Sequence, residues 1–261
     1  MIKVVVTAPR GAMDSLVVQE AFKNENIEVI GCVGRPGADY IGSDVGSVCG
    51  IGQDIGALVY DNLEADVQGK KLIELCDVVV DYSTIEMSMD VLEKCIAYGK
   101  GLLCGTTGFG DAQLAAFAKA AETIPLMQTA NTSYVVTVMK KLLKEAAAML
   151  EDKAGMEIVE AHSDTKLDAP SGTAIELAEE MAGGMKTKKY EDITFHSLRA
   201  GNTPSSHHVI FGCQGEMFKI THDAYDWRCY AIGACDAIMY LGARLAEGKP
   251  GSYTMFDVIE D

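Results

Sequence analysis

The sequence has no run of basic residues, and this absence removes two classes of partner. It carries 22 Lys and Arg against 38 Asp and Glu, which gives a formal net charge of −16. Nucleic acids and anionic membrane surfaces are bound by clustered Lys and Arg, so neither is expected as a partner. A small anionic ligand stays open, because a few local cations or a helix N-terminus can hold it.

The chain also has no cysteine motif. Its eight cysteines are scattered, at positions 32, 49, 76, 95, 104, 213, 229 and 235. None forms a CxxC pair or a Cys/His cluster with metal-ligand spacing, so no metal site is predicted. His207 and His208 are adjacent on a predicted strand, where neighbouring side chains point to opposite faces and are not expected to share an ion. Several cysteines lie in apolar runs and are interpreted as reduced packing residues of a cytoplasmic protein.

No apolar run reaches transmembrane length, and no signal peptide is predicted, because Met1-Ile-Lys leads directly into the strand-like segment Val4–Val6. What the sequence does contain is 261 residues with 48% hydrophobic content. That is enough for one large domain or two small ones.

The first forty residues predict the opening unit of a nucleotide-binding α/β domain. A short strand at Lys3–Thr7 is followed by a turn at Ala8–Asp14, a helix near Ser15–Asn24 and a second strand at Ile27–Val33. The turn is where a backbone would approach a pyrophosphate. Arg35 follows the second strand, where an Arg suits the 2′-phosphate of NADPH. We therefore expect NADPH or NADH with a preference for NADPH, the alternative being that Arg35 is simply solvated.

Two later strands end in polar or glycine-rich turns. Asp77–Asp81 leads to Ser83, and the strand that begins at Gly101 leads to the turn Gly105–Gly108. Ligands of open parallel sheets bind at the carboxyl ends of the strands. Ser83 and the Gly105–Gly108 turn are therefore predicted to lie near the nicotinamide ribose.

The segment 157–174 contains the strongest indication of chemistry. A strand runs into a polar loop that carries His162 and Lys166, and Ser171 is a suitable N-cap for a following helix. Gly172 lets a ligand approach the unpaired N–H groups of the helix start, and Thr173 adds a hydroxyl. Taken singly, each feature is more often an ordinary loop or helix start. Their conjunction predicts a carboxylate or phosphate site with a proton donor.

This segment also resembles a known family. Residues 160–174 read E-A-H-x-x-x-K-x-D-A-P-S-G-T-A, similar to the signature of 4-hydroxy-tetrahydrodipicolinate reductases, and G-T-T-G-F at 105–109 is similar as well. The resemblance implies that His162 and Lys166 are proton donors and that Gly172 and Thr173 bind a substrate carboxylate. Ser163 stands where the family usually has a second substrate-contacting His. Of the family's G-A-x-G-R-M-G turn, only Gly11 and Met13 match, and Asp14 would repel phosphate if it faced the site.

The resemblance extends to the cofactor and to the remaining sheet. The implied cofactor-binding residues are Ala8, Gly11, Ala12, Met13, Arg35, Ser83, Gly105, Thr106, Thr107, Thr129, Asn131 and Thr132. Three strands between 193 and 223 imply a mainly antiparallel sheet, which in this family holds substrate and builds a tetramer.

The resulting prediction is an α/β protein with a Rossmann-type parallel sheet domain and an inserted α+β substrate and oligomerisation domain with a mainly antiparallel sheet. The first domain is expected at 1–130 and 234–261, with a returning helix at 234–245, and the second at 131–233. The expected function is NAD(P)H-dependent reduction of 4-hydroxy-tetrahydrodipicolinate, a small dicarboxylate, in lysine and diaminopimelate biosynthesis by a homotetramer. Two alternatives stay open. One is a related reductase of another cyclic imine or enone, and the other is a non-catalytic binding protein on the same fold.

Overall fold

The chain forms two compact units. The computed structural model describes residues 1–203 and 205–261. The first unit combines Met1–Ser133 with Tyr230–Asp261, and the second is Tyr134–Cys229.

The second boundary lies four residues before the expected one. The returning helix, predicted at 234–245, in fact runs over Arg228–Ala246. Its early residue Ala231 is fully buried in the core of the first unit. The helix therefore joins the first unit about one turn earlier than its apolar pattern indicated.

The first unit is built mainly of strands that alternate with helices. Its strands are β1 (Ile2–Thr7), β2 (Ile27–Val33), β3 (Leu58–Tyr60), β4 (Asp66–Val67), β5 (Lys70–Lys71), β6 (Val78–Asp81), β7 (Gly101–Cys104), β8 (Pro125–Gln128) and, after the second unit, β13 (Gly251–Ser252). Its helices are α1 (Ala12–Lys23), α2 (Val45–Val48), α3 (Leu72–Leu75), α4 (Ile85–Tyr98), α5 (Asp111–Ala120), α8 (Arg228–Ala246) and α9 (Met255–Glu260).

Seven of these strands form one parallel sheet in the order β3-β2-β1-β6-β7-β8-β13. The order reverses between β1 and β6, which makes the carboxyl edge there the expected ligand-binding crevice of a doubly wound fold. The predicted Rossmann-type sheet is confirmed. Strands β4 and β5 form a separate hairpin.

Both faces of the seven-stranded sheet are covered. Alternate residues of a strand point to opposite faces, so Val4 and Val6 of β1 pack in one core with helices α1 and α8, and Val5 packs in a second core with α3, α4 and α5. All three valines are fully buried. This double coverage explains why the strands read as continuous apolar runs.

The second unit packs helices against one face of a four-stranded sheet. Its elements are α6 (Tyr134–Leu150), β9 (Gly155–His162), α7 (Gly172–Gly184), a 3-10 helix (Tyr190–Asp192), β10 (Ile193–Arg199), β11 (Ser206–Cys213) and β12 (Glu216–Asp223). The strand order is β10-β9-β11-β12. Strand β10 pairs parallel with β9, and the other two pairs are antiparallel, so the predicted mainly antiparallel sheet is confirmed.

One face of this sheet is buried and the other is open. Met156 and Ile158 of β9 and Val209 and Phe211 of β11 pack in one core with helices α6 and α7. Within residues 1–203 and 205–261, no helix combines the length and the apolar content that crossing a bilayer requires.

Candidate active site

A cleft of about 410 Å³ lies at the carboxyl edge of the seven-stranded sheet, next to the point where the strand order reverses. It is lined by Met13, Tyr82, Ser83, Thr84, Ile85, Gly105, Thr106 and Thr107. Five of these were predicted as cofactor-binding residues. The cleft thus brings together the start of α1 and the turns after β6 and β7.

The buried carboxylate of Asp81 joins the turns around this cleft. It is fully buried at the end of β6 and accepts hydrogen bonds from the hydroxyls of Thr7 (2.7 Å), Ser83 (2.5 Å), Ser88 (2.5 Å) and Thr106 (3.2 Å). These donors lie on or after three adjacent strands and on helix α4. Asp81 therefore fixes the positions of Ser83 and Thr106, and the apolar strand pattern gave no sign of this role.

Gly105 is required because the Tyr82 ring occupies the space beside it. A Cβ atom at Gly105 would lie 1.9 Å from that ring. The Thr132 hydroxyl donates to the Tyr230 carbonyl (2.7 Å), so its oxygen is the acceptor for the Tyr82 hydroxyl (3.3 Å). Thr132, a predicted cofactor residue, thus helps to position Tyr82, which lines the cleft.

The turn between β1 and α1 leaves the start of α1 without a side-chain cap, although its sequence differs from the family pattern. Gly11 is the N-cap of α1, and no side chain makes a capping hydrogen bond there in the described part of the chain. The first N–H groups of this helix are therefore available to an anion such as a dinucleotide phosphate. A Cβ at Gly11 would lie 2.5 Å from Asp14 Oδ2, so the close packing requires glycine. This geometry fits a nucleotide cofactor.

Asp14 is buried instead of facing outward. Only 1% of its surface is exposed, and its Oδ1 accepts a hydrogen bond from the Tyr82 N–H (3.2 Å). Among the described residues its Oδ2 has no hydrogen-bond partner. Burial, and then the nearby Asp81 carboxylate, raise the pKa of Asp14 well above its usual range. Both effects favour the uncharged acid, which would not repel a phosphate.

In the second unit, His162 lies in a network of charged groups. It is the last residue of β9, and its Nδ1 lies 2.5 Å from Glu160 Oε2. Glu160 is fully buried and accepts two further hydrogen bonds from Arg199, at 2.9 and 2.8 Å. Burial lowers the pKa of His162, although the Glu160 carboxylate acts in the opposite direction.

Lys166 lies on the loop that follows His162. Its Nζ pairs with Asp168 Oδ1 at 2.8 Å, and 29% of the lysine side chain is exposed. The Lys166 ammonium, more than any other group, lowers the pKa of Asp168. Arg199 donates to the Asp168 carbonyl at 2.6 Å, so one residue of β10 contacts both Glu160 and this loop.

The start of α7 forms an open cradle. Ser171 is the N-cap, and its hydroxyl oxygen accepts from the Ala174 N–H at 3.2 Å. A Cβ at Gly172 would meet nothing within 4 Å, so space lies in front of the helix start. The N–H groups and the helix dipole at this end suit a carboxylate.

Two more histidines of this unit, His207 and His222, are buried. The ring of His207 contacts those of His162 (5.3 Å between centroids) and His222 (6.1 Å). Burial, followed by the neighbouring His162 and His222, lowers the pKa of His207 to about 3. Burial also lowers the pKa of His222. The Ser171 hydroxyl, which accepts from the Ala174 N–H, also lies 3.2 Å from His207 Nε2 and is its hydrogen-bond partner.

Comparison with known proteins identifies the family. The model for the N-terminal part of dihydrodipicolinate reductase matches residues 2–132, and the model for the C-terminal part matches residues 135–259. Together they span nearly the whole chain. The chain belongs to the dihydrodipicolinate reductase family.

Individual relatives agree. The 4-hydroxy-tetrahydrodipicolinate reductase of Alkalilimnicola ehrlichii is 34% identical over 98% of both chains. That of Citrifermentans bemidjiense is 32% identical over 99% of both. The structure of dipicolinate-bound dihydrodipicolinate reductase from Paenisporosarcina sp. TG-14 is similar at a TM-score of 0.77 and 26% identity, covering 98% of this chain and 99% of that one. The predicted family is confirmed, and with it an NAD(P)H-dependent oxidoreductase.

Several predicted residues of this family member lie outside the cleft lining. Ala8 precedes Gly11 in the β1–α1 turn, Ala12 is exposed at the start of α1, and Arg35 is exposed after β2. The Thr129 hydroxyl donates to the Asn131 carbonyl at 3.0 Å, which shapes the end of the segment after β8.

Ser163, the predicted substrate contact, hydrogen-bonds the Thr165 hydroxyl at 2.8 Å. No group of three His, Cys, Asp or Glu residues that could hold a metal ion occurs in the described residues.

The sequence did not predict Glu160, Arg199 or Asp81 as site residues, although Glu160 and Asp81 each hydrogen-bond a predicted site residue and Arg199 holds Glu160. A signal existed for Glu160, because it alternates with the buried Met156 and Ile158 and therefore occupies a core position of β9. A carboxylate at a core position calls for a specific partner. Arg199 on the neighbouring strand is that partner, and only the pairing of β10 with β9 reveals it.

Proposed function

We propose that this protein reduces 4-hydroxy-tetrahydrodipicolinate to tetrahydrodipicolinate with NAD(P)H, as a step in lysine and diaminopimelate biosynthesis. The proposal rests on one segment in the second unit of this family member. There His162, Lys166 and the open start of α7 follow one another along 18 residues of a strand, loop and helix (157–174). Such an arrangement offers proton donors and a carboxylate cradle.

The second unit would hold the substrate. The first N–H groups of α7, at Gly172 and Thr173, would donate to one substrate carboxylate, and the absence of a side chain at Gly172 leaves room for it. Lys166 and His162 lie beside the cradle in sequence and supply a cation and a titratable ring. Ser163, a predicted substrate contact, adds a hydroxyl next to His162. The dipicolinate bound to the related Paenisporosarcina structure fits a small dicarboxylate ligand.

The first unit would hold the cofactor. When bound, the reduced nicotinamide supplies a hydride. The β1–α1 turn, with Gly11 and the uncapped N–H groups of α1, suits the pyrophosphate. Ser83, Thr106 and Thr107, at the carboxyl ends of β6 and β7, suit the nicotinamide ribose.

The chemistry that remains for the protein is orientation and proton transfer. The conversion adds one hydride and one proton and releases one water, so a protein group must deliver a proton. His162 and Lys166 are the candidates, and the neutral state favoured for His162 by burial makes its Nε2 an acceptor until it is protonated.

Alanine substitutions would test the proposed roles of His162 and Lys166. H162A and K166A should each lower kcat by about a hundredfold or more, the range expected for loss of a general acid. K153A is a matched control, because Lys153 is an exposed lysine of the same unit. Near-full turnover in both H162A and K166A would remove these residues from the mechanism. Turnover of other cyclic imines in preference to 4-hydroxy-tetrahydrodipicolinate would instead indicate a related reductase.

We further propose that NADPH is the preferred cofactor. Arg35 is exposed directly after β2, where the adenosine ribose of a dinucleotide lies in doubly wound folds. Its guanidinium suits a 2′-phosphate. Calorimetric titration should show R35A losing about tenfold or more in NADPH affinity with little change for NADH. Equal losses for both cofactors would contradict this preference.

A homotetramer is the proposed assembly. The sheet face opposite α6 and α7 carries Val159, Ala161, Leu198, Ile210 and Met217, of which Leu198 is 55% and Met217 58% exposed. Apolar side chains on an open sheet face are a common sign of an interface. Light scattering of the purified protein gives the oligomeric state directly, and a monomer would refute the proposal.

The eight free cysteines fit a reducing compartment, so we propose the cytoplasm as the location of this protein.

A further inference from the structure

Glu160 occupies a position that ordinarily holds an apolar residue. It lies on the face of β9 that also carries Met156 and Ile158, and its surface is fully buried. Placing a carboxylate there costs free energy unless hydrogen bonds and an opposite charge compensate. The position therefore calls for a role that an apolar residue could not fill.

The partners of Glu160 keep it ionised. Burial by itself raises the pKa of this carboxyl, but hydrogen bonds from Arg199, Ser197 and His162 outweigh burial and the pKa is lowered. Arg199 donates to both carboxylate oxygens, at 2.9 and 2.8 Å. An ionised carboxylate can only accept hydrogen bonds.

We infer that Glu160 is a positioning residue that fixes the orientation and tautomer of His162. Because the acceptor Oε2 lies 2.5 Å from His162 Nδ1, this nitrogen must carry the hydrogen. Nε2 is then the atom that gains and loses the catalytic proton. The inference rests on the proposed function, because it gives His162 a proton to transfer.

The remaining charged groups around His162 act against its protonation. Lys166 on the following loop and Arg199 on β10 both lower the pKa of His162, and its ring contacts the neutral His207 of β11. Glu160 is the group that raises it. Removing the negative charge of Glu160 should therefore make the imidazolium form harder to reach.

Arg199 extends the same support to Lys166. Besides holding Glu160, it donates to the Asp168 carbonyl at 2.6 Å, and Asp168 pairs with Lys166 at 2.8 Å. The Glu160–Arg199 pair thus connects both candidate proton donors to strands β9 and β10. A purely structural ion pair would need neither contact.

The test compares two glutamates of one strand. E160Q keeps the size and one acceptor oxygen but removes the charge. E157Q is the matched control, because Glu157 also pairs with a histidine, His196 at 3.0 Å, but is 53% exposed on the other face of β9. We expect E160Q to lower kcat by about tenfold to a hundredfold while the KM for NADPH stays unchanged. The alkaline limb of its pH–rate profile, where the proton donor His162 loses its proton, should move to lower pH by about one unit.

Nitrogen NMR of the unmodified protein provides a second, independent readout. With histidine labelled on both ring nitrogens, the chain gives signals from five residues, and the variant H162N assigns His162. We expect a hydrogen on Nδ1 and a free lone pair on Nε2 at neutral pH. This readout needs no turnover and does not use E160Q, so it decides the inference even if the proposed substrate is wrong or E160Q fails to fold.

Two results would overturn the inference. One is a His162 signal with the hydrogen on Nε2. The other is a folded E160Q protein whose kcat and pH–rate profile equal those of the E157Q control. In that case Glu160 would contribute only to the thermal stability of the protein.

Discussion

The buried His207 should make the second unit sensitive to acid. Its side chain is 1% exposed, and burial, with His162 and His222 beside it, lowers its pKa from 6.5 to about 3. In the unfolded chain it binds a proton below about pH 6.5, whereas in the folded protein it does so only near pH 3. The unfolded state therefore binds more protons between these values. Stability must fall as the pH drops through 6.5, and the loss levels off near pH 3.

The magnitude at pH 5 follows from the same two pKa values. Protonation favours the unfolded state by a factor of about 30 at this pH, which corresponds to about 2 kcal/mol, against about 0.2 kcal/mol at pH 7. This is a large part of the few kcal/mol that stabilise a typical domain.

H207Q isolates this contribution. Glutamine cannot titrate but keeps an amide group as a hydrogen-bond partner for the Ser171 hydroxyl, which lies 3.2 Å from His207 Nε2. Urea unfolding can be followed by the fluorescence of Trp227, the one tryptophan, which belongs to the same unit. Between pH 7 and pH 5 the unmodified protein should lose about 2 kcal/mol more than H207Q at equal protein concentration. Equal losses in the two proteins would refute the claim that His207 is buried in its neutral form.

Three further substitutions test local features. Ala8 has a φ of +43°, in the left-handed region, so A8G should remove strain of about 1 kcal/mol, partly offset by unfolded-state entropy, and raise Tm slightly in calorimetry. A lower Tm for A8G would contradict that strain. G105A should lower the free energy of unfolding by about 2 kcal/mol and weaken NADPH binding, because its Cβ would lie 1.9 Å from the Tyr82 ring. An unchanged NADPH affinity in calorimetric titration would place the cofactor elsewhere. S171A should lower the free energy of unfolding by about 1 kcal/mol, because α7 loses its N-cap hydrogen bond at Ala174, and it should raise the KM for substrate. An unchanged KM would show that substrate binding does not depend on this cap.

Much of the fold follows from local pattern. The strand at 27–33 and the start of the strand at 101 were predicted at their observed positions. Continuous apolar runs such as Val78–Val80 indicate strands that are covered on both faces, as the sheet shows. The start of α8 was missed because Arg228 and Tyr230 interrupt the apolar pattern at its first turn.

The site was predicted unevenly for a physical reason. His162, Lys166 and Gly172 are close in sequence, so one strand–loop–helix segment places them. Glu160 and Arg199 meet only because β9 and β10 pair in parallel register, which puts Arg199 beside His162. Similarly, Asp14 was expected to be charged, and its burial against the end of β6 depends on contacts that are 68 residues apart in the chain. Long-range pairing of polar groups leaves no periodic trace in the sequence.

The most direct test of the account is steady-state oxidation of NADPH by the purified protein with freshly generated 4-hydroxy-tetrahydrodipicolinate. The account predicts turnover that requires both compounds, that falls by about a hundredfold or more in H162A and K166A, and that K153A preserves. Dinucleotide binding without turnover, in a folded sample, would contradict it. That result would leave a binding protein that retains the fold and the α7 cradle without the reaction.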